Sequence, residues 1–431
     1  MSDLVAAPRA AETRRLGRGV RLPPVAQALA AYAAVRLLGL AVLAGWSAAT
    51  GRDGYRLLSA RWDSIWYARI AEDGYGHTAR LADGTVHPDL AFFPLLPWLE
   101  RLAAQVSPLS AGDAGVLVSA VASLAAAAGI FAVGDQLHGP RTGVILTVLW
   151  AALPVGIVQS MAYSESLFTA LAVWAVHAVL AGRWVWAGSL ALAAGLTRPV
   201  GAAVVTAVWA AAALEWRRER ARRRAARTVL PGQRTSSAAR PGAPAPPAAR
   251  ATADGGQQGA GGPGTVRHRM LLGVLLAPLG WLGHVARVGV ETGSPLGYLD
   301  VQGQWGNGFD GGLAFARFTV GRFGHGWPGA AAGAGVLLGL GLLAWLAVLC
   351  VRQRQPVPLL AYAGTVLLLA LGAKGYLGSK PRLLLPAFPL LIPPAVRLAR
   401  AQPVAAAVGV AALALGSALY GAMWLHGSGP P

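Results

Sequence analysis

Charge is what this 431-residue chain has least of. Only 13% of its residues are charged, against about a quarter in ordinary soluble domains. With 55% hydrophobic residues and a mean hydropathy of +0.49, it lacks the polar surface that a soluble fold needs. A single cysteine, Cys350, excludes an intramolecular disulfide and a cysteine-based metal site. The eight histidines have no paired spacing and H-x-x-x-H is absent, which argues against a structural zinc site. No phosphate-binding glycine loop occurs in a strand–helix setting. The alternating ten-residue segments of a membrane β-barrel are also missing. What is present instead is a series of continuous apolar runs of helical length, so the chain reads as an all-α, polytopic membrane protein.

The net charge of +19 could suggest nucleic acid, but its distribution argues against that partner. Residues 216–269 hold twelve arginines and two acids, more than half of the net charge, between two apolar runs. That is the pattern of a polybasic cytoplasmic loop against a bilayer. Its Arg, Ala, Pro, Gly and Ser content predicts a disordered linker. The basic stretch "RRLGRGVRLPP" precedes the first apolar run without a clear small-residue cleavage site, and reads as an uncleaved anchor.

Apolar length predicts eleven spans: 27–48, 112–134, 143–160, 164–181, 184–196, 199–215, 270–290, 328–350, 357–373, 383–396 and 403–424. If these alternate, the arginines of the N-terminus, 139–143, 182–183, 216–269, 352–355 and 397–400 all share one side. The positive-inside tendency makes that side cytoplasmic. The Pro-interrupted stretch "AFFPLLPWLERLAAQV" (91–106) would invert everything after it if it crossed, and is placed as an interfacial helix. The expected organisation is a basic cytoplasmic N-terminus (1–26), an N-terminal bundle (27–215), the linker (216–269) and a C-terminal bundle (270–431). Outer loops fall at 49–111, 291–327 and 374–382.

The scarce polar residues collect in those outer pieces. "RWDSIWYARIAEDGY" (61–75) gathers Asp63, Glu72 and Asp73 among Trp62, Trp66, Tyr67 and Tyr75. A carboxylate at a membrane surface can serve as a general base. Asp63 could equally cap a helix starting at Ser64, and "EDGY" is also a plain helix-ending turn. Both lysines, Lys374 and Lys380, lie with Arg382 in one nine-residue outer loop, where positive charge is disfavoured. A phosphate at the outer interface would account for them; a hydrophilic turn is the alternative. Arg198 interrupts two short apolar runs beside Pro199, where an intramembrane charge implies a cavity or a partner, and a phosphate contact is favoured. Arg36, inside the first span, reads as snorkelling towards the cytoplasm. In "YSES" (163–166), Ser164 or Ser166 could cap a helix whose N-terminus favours Glu165. Gln302, Trp305 and Asn307 could bind a sugar, or belong to a short surface helix.

The order of these segments is itself informative. "RWDSIWYARIAEDGY", "AFFPLLP", "PVGIVQSMAYSESLF", "GLTRPVG" and "KPRLLLPAFPLL" together resemble the PIG-V family, the GPI mannosyltransferase adding the second mannose, and its bacterial relatives. The resemblance covers most of the chain outside 217–267. It implies a GT-C glycosyltransferase that uses a polyprenyl-phosphate-linked mannose, acts at the extracytoplasmic face of the cell membrane and needs no nucleotide sugar. It also implies that Asp63 deprotonates the acceptor, with Trp62 beside it. Phe92, Phe93 and Pro94 match an aromatic–proline element, and Tyr163, Ser164 and Glu165 the "YSES" element. Arg198 matches the Arg of the family's T-R element, although Pro199 stands where eukaryotic members commonly carry Ser, and Arg382 matches a basic residue before the "LLPAFP" span.

Arg198, Lys374, Lys380 and Arg382 are thus candidates for the donor phosphate, and Trp62, Glu72, Asp73, Tyr163, Glu165, Gln302 and Trp305 for substrate contacts. No metal is required by this set, although a divalent ion on the acids is compatible with it. The acceptor, a glycan or glycolipid, is not specified. Rival readings keep the architecture with another polyprenyl-phosphate sugar, or make the chain a lipid-linked sugar flippase, or a scaffold for which Asp63 is dispensable.

Overall fold

The computed structural model describes residues 22–81, 84–228, 263–427 and 429. Residues 1–21 and most of the predicted linker lie outside them. The described chain is almost wholly helical. Its N-terminal half comprises α1 (Pro24–Thr50), α2 (Arg56–Ser59), α3 (Asp63–Asp73), α4 (Leu95–Gln105), α5 (Ala111–His138), α6 (Pro140–Ala151), α7 (Ser164–Leu180), α8 (Trp184–Gly195) and α9 (Ala202–Thr228). The remainder comprises α10 (Pro263–Leu276), α11 (Leu279–Thr292), α12 (Gly297–Gln304), α13 (Leu313–Arg322), α14 (Gly326–Arg352), α15 (Val357–Gly372), α16 (Lys380–Leu383), α17 (Ile392–Arg400) and α18 (Pro403–His426). Two small antiparallel pairs complete it: β1 (Thr78–Arg80) with β2 (Val86–Pro88), and β3 (Gly308–Phe309) with β4 (Ala373–Lys374).

Among the described residues six helical stretches are long and apolar enough to cross a bilayer, or seven if the pair Leu377–Leu383 and Phe388–Arg400, bent by 70°, counts as one. The chain is therefore a multi-pass membrane protein, but the count of eleven is not reached. The predicted spans 164–181, 184–196 and 357–373 are helices too short to pass that test. The predicted span 143–160 breaks after Ala151 and ends in a 3-10 turn, Gly156–Ser160. Pro154 follows the break after Ala151, and the irregular backbone of residues 155–159 is buried in protein, where it is tolerated.

Arg36 explains how one break is accommodated. It is not snorkelling: it is 8% exposed, and its guanidinium donates to the carbonyls of Ala151 and Gly156 that the interrupted helix leaves free. A buried charge thus serves as a helix cap. The expected disorder of 216–269 also needs correction at both ends. Helix α9 continues to Thr228, since Arg, Ala and Glu are good helix formers, and α10 begins at Pro263. Arg218–Glu215 adds an i,i+3 pair there.

Helices cross closely where both contribute glycine. A methyl group at Gly134 of α5 would sit 2.7 Å from Gly143 Cα of α6. This small-residue contact is how membrane helices associate without a hydrophobic driving force between them. Tyr32 and Trp150 stack inside the main core at 5.6 Å. On the outward surface Leu337, Leu338, Trp345 and Val348 of α14 are exposed, as lipid-facing residues should be. Within the stretch 91–106, residues Leu95–Gln105 form α4, a separate helix packed on α3 and α5, with Trp98 and Leu102 outward.

Arginines tie the connections together at both ends of the bundle. At one end Arg141 donates to Ala401 O at 3.1 Å, joining the basic connections 139–143 and 397–402. At the other, Arg52 donates to His426 O at 2.7 Å and Arg61 to Gly427 O at 2.6 Å, tying the end of α18 to the loop that carries Asp63.

Candidate active site

Asp63 is placed by a strained turn. Trp62 has φ 53° and ψ −119°, a conformation that costs a non-glycine residue about 1–3 kcal/mol. Its ring packs against the core beneath the Arg61 guanidinium, 3.9 Å away. Ser64 Oγ accepts from Arg61 N at 2.7 Å. Asp63 is the first residue of α3 rather than its cap, so its carboxylate is free to point away from the helix. It meets Arg382, whose Nη1 lies 2.5 Å from Oδ2, while the Asp63 amide donates to the Tyr163 hydroxyl at 3.3 Å.

The "YSES" turn brings the second carboxylate. Glu165, 2% exposed, lies in the first turn of α7, where the helix dipole favours a negative charge. Its Oε1 is 2.5 Å from Arg198 Nη1 and 3.2 Å from Arg382 Nε, as ion pairs rather than aligned hydrogen bonds. Ser164 does not cap the helix. Its hydroxyl accepts from Arg198 Nη1 at 3.0 Å and is shared with the Tyr67 hydroxyl at 2.8 Å. Arg198 reaches this position from the break between α8 and α9, in extended backbone immediately before Pro199. Tyr163 lies fully buried with its ring 5.1 Å from the Arg382 guanidinium carbon. Asp63, Glu165, Arg198 and Arg382 therefore form one alternating network of two acids and two bases.

Both lysines border the same space. Lys374 sits on β4, paired with Gly308 of β3, and its side chain is exposed. Lys380 is 4% exposed and donates to Ala370 O at 2.7 Å and also to Ala373 O. Nearby, Asp310 accepts from the amides of Ala314 at 2.8 Å and Gly312 at 2.9 Å, which hold its carboxyl below the usual range.

A cavity of about 530 Å³ is lined by Asp63, Glu165, Arg198, Lys374, Lys380 and Arg382, four cations against two carboxylates. Apolar residues including Val200, Leu299, Phe309, Leu369 and Leu383 form the rest of its wall. Its volume lies in the range of small-molecule sites, and its excess of two positive charges favours an anionic occupant.

Gln302 and Trp305 also line the cavity, but their polar groups are engaged. Gln302 Nε2 donates to Ala91 O at 3.2 Å and Oε1 accepts from Asn307 at 3.0 Å. Trp305 Nε1 donates to Pro88 O at 2.9 Å, and His87 stacks on its ring at 4.3 Å. These contacts fasten α12 onto the loop that holds Phe92 and Phe93. Glu72 and Asp73 are exposed at the far end of α3 and do not line the cavity, and neither do Trp62 and Tyr163, which support Asp63 from behind. Asp89 is a structural acid: its Oδ2 accepts from the amides of Gly76 at 3.0 Å and His77 at 2.8 Å. Tyr67, one of the aromatics around Asp63, also borders the cavity; Trp281, Tyr298 and Tyr376 border it too, and nothing in the sequence distinguishes these three from interfacial aromatics. Among the described residues no three His, Cys, Asp or Glu side chains cluster as metal ligands do.

No protein-family profile matches the chain. No curated protein matches it either. Among solved structures it is similar to ArnT from Cupriavidus metallidurans bound to undecaprenyl phosphate, with 13% identity and a TM-score of 0.49 over 89% of this chain and 62% of that one. The chain thus spans under two thirds of the length of that structure.

Proposed function

We propose that this chain is an integral-membrane glycosyltransferase of GT-C-like architecture. It transfers mannose from a polyprenyl-phosphate mannose to a glycan or glycolipid acceptor at the extracytoplasmic face of the cell membrane. The observation that carries the reading is the meeting of Asp63 with Arg198, Lys374, Lys380 and Arg382 around one cavity with net positive charge. The sequence resemblance supplies the choice of mannose.

The chemistry follows from what glycosyl transfer requires. The acceptor oxygen bonds to the anomeric carbon as the carbon–oxygen bond to phosphate breaks, and that electron pair leaves with the polyprenyl phosphate. The hydroxyl proton goes to Asp63, which stands at the cavity edge with 25% of its side chain exposed. The lysines and Arg382 stabilise the charge that develops on the departing phosphate. A single displacement inverts the anomeric configuration. The transporter reading loses one of its supports, because Arg36 is engaged in closing a helix break.

The test incubates membranes containing the chain with radiolabelled polyprenyl-phosphate mannose, and in parallel with other radiolabelled polyprenyl-phosphate sugars, and a panel of acceptor lipids and glycans. Label passing to an acceptor with inverted configuration supports the reading. Label passing from a different polyprenyl-phosphate sugar would change the donor assignment. No transfer from any polyprenyl-phosphate sugar would overturn it.

A further inference from the structure

The proposed base and the cation best placed for the donor phosphate occupy each other. Arg382 Nη1 is bound to Asp63 Oδ2 at 2.5 Å, in a side chain only 9% exposed. The same guanidinium is also 3.2 Å from Glu165 through Nε and lies over the Tyr163 ring. Arg198 is bound to Glu165 and Ser164. Lys380 is turned onto two backbone carbonyls. Lys374 alone among the four cavity cations is exposed and makes no ion pair. A phosphate entering this cavity therefore finds one available lysine and an arginine held by a carboxylate.

Arg382 is anchored at one nitrogen and committed at another. Glu165 is buried, shared with Arg198 and fixed in the first turn of α7. Asp63 stands at the cavity edge with 25% of its side chain exposed. The bond to Asp63 is thus the one that can exchange, while the ion pair with Glu165 keeps the guanidinium aimed at the cavity.

Building on the glycosyltransferase reading, we propose that Asp63 and Arg382 form a latch opened by the donor: the lipid phosphate replaces Asp63 on Arg382 Nη1, and only then is the carboxylate released to accept the proton of an incoming hydroxyl. Glu165 is the positioning residue of this exchange. The donor binds before the acceptor is activated. Without donor, the base is tied to a cation that competes with any hydroxyl hydrogen.

The latch makes an unusual prediction that does not depend on identifying the acceptor. An internal competitor for Arg382 weakens phosphate binding, so removing it should tighten that binding. With purified full-length protein and polyprenyl phosphate as the probe, Asp63→Asn should bind about tenfold more tightly than wild type, the scale of one charge-assisted hydrogen bond freed from competition. The gain should vanish when Asp63→Asn is introduced into Arg382→Gln, because nothing remains to be freed. Asp63→Ser supplies the same comparison if the asparagine variant does not fold. Equal or weaker binding by both Asp63 variants overturns the latch. So does a gain that persists without Arg382, which would reflect only the loss of a negative charge from the cavity. Failure of transfer from every polyprenyl-phosphate sugar is a separate result, read in a different assay, and bears on the function rather than on this exchange.

Discussion

Arg382 and Asp63 are separated by 319 positions of chain, yet their side chains meet at 2.5 Å. Arg382 also neutralises Glu165, so Arg382→Gln strands two carboxylates with only Arg198 between them. Removing one partner of a buried pair costs about 3–5 kcal/mol. Asp63 is more exposed, and Asp63→Asn should cost clearly less. Thermal unfolding in detergent micelles checks this order. Equal loss in both variants would mean that Glu165 does not depend on Arg382.

The two lysines should separate kinetically. Lys374 is exposed and makes no ion pair, so Lys374→Ala should raise the donor KM with little change in stability. Losing one charged contact of this kind corresponds to about 1.5–3 kcal/mol, or tenfold and more in affinity. Lys380→Ala also leaves the carbonyls of Ala370 and Ala373 without their donor, and should lower the melting temperature as well. Steady-state kinetics paired with melting curves distinguishes the two; indistinguishable behaviour would contradict the different roles.

Arg36 predicts a purely structural phenotype. Arg36→Leu leaves the Ala151 and Gly156 carbonyls without their donor inside the bundle, at about 1–3 kcal/mol for each unsatisfied group. Melting temperature and yield should fall while kcat per folded molecule stays at the wild-type value. A selective loss of kcat would return Arg36 to a substrate pathway.

Glu100 offers a pH-dependent test outside the spans. It is fully buried on α4 with both carboxyl oxygens unpartnered. Burial, and secondarily the nearby Glu72, push its carboxyl well above the usual range. A carboxyl raised in the folded state stabilises most below its unfolded value, and that stability is lost as pH rises towards the folded one. Glu100→Gln removes this dependence. Its advantage over wild type should grow from pH 5 upward in melting experiments, and a constant difference across pH would contradict it.

Much of the site could be read from residue scarcity. A chain with two lysines in one loop and its few acids beside aromatics marks where polar chemistry gathers, and the structure brings Asp63, Glu165, Arg198, Lys374, Lys380 and Arg382 to one cavity. The pairing within the cavity was not legible, because the sequence gives no distance between Asp63 and Arg382. Glu72 and Asp73 were grouped with Asp63 by proximity in sequence, but α3 carries them to its exposed end. Gln302 and Trp305 have the residue types of a sugar site and do line the cavity, but the sequence did not show that their hydrogen bonds also fasten α12 to the first outer loop. The count of eleven spans is not confirmed where helices are short or broken, since apolar length in a sequence cannot tell a crossing helix from a short one ended by a turn.

Asp63 as the proton acceptor is tested most directly by comparing wild type and Asp63→Asn in proteoliposomes supplied with radiolabelled polyprenyl-phosphate mannose and an accepting glycolipid. Transfer should fall by about 10²–10⁴ in the variant, while polyprenyl phosphate still binds. Transfer at the wild-type rate by a folded, lipid-binding Asp63→Asn protein would contradict the mechanism.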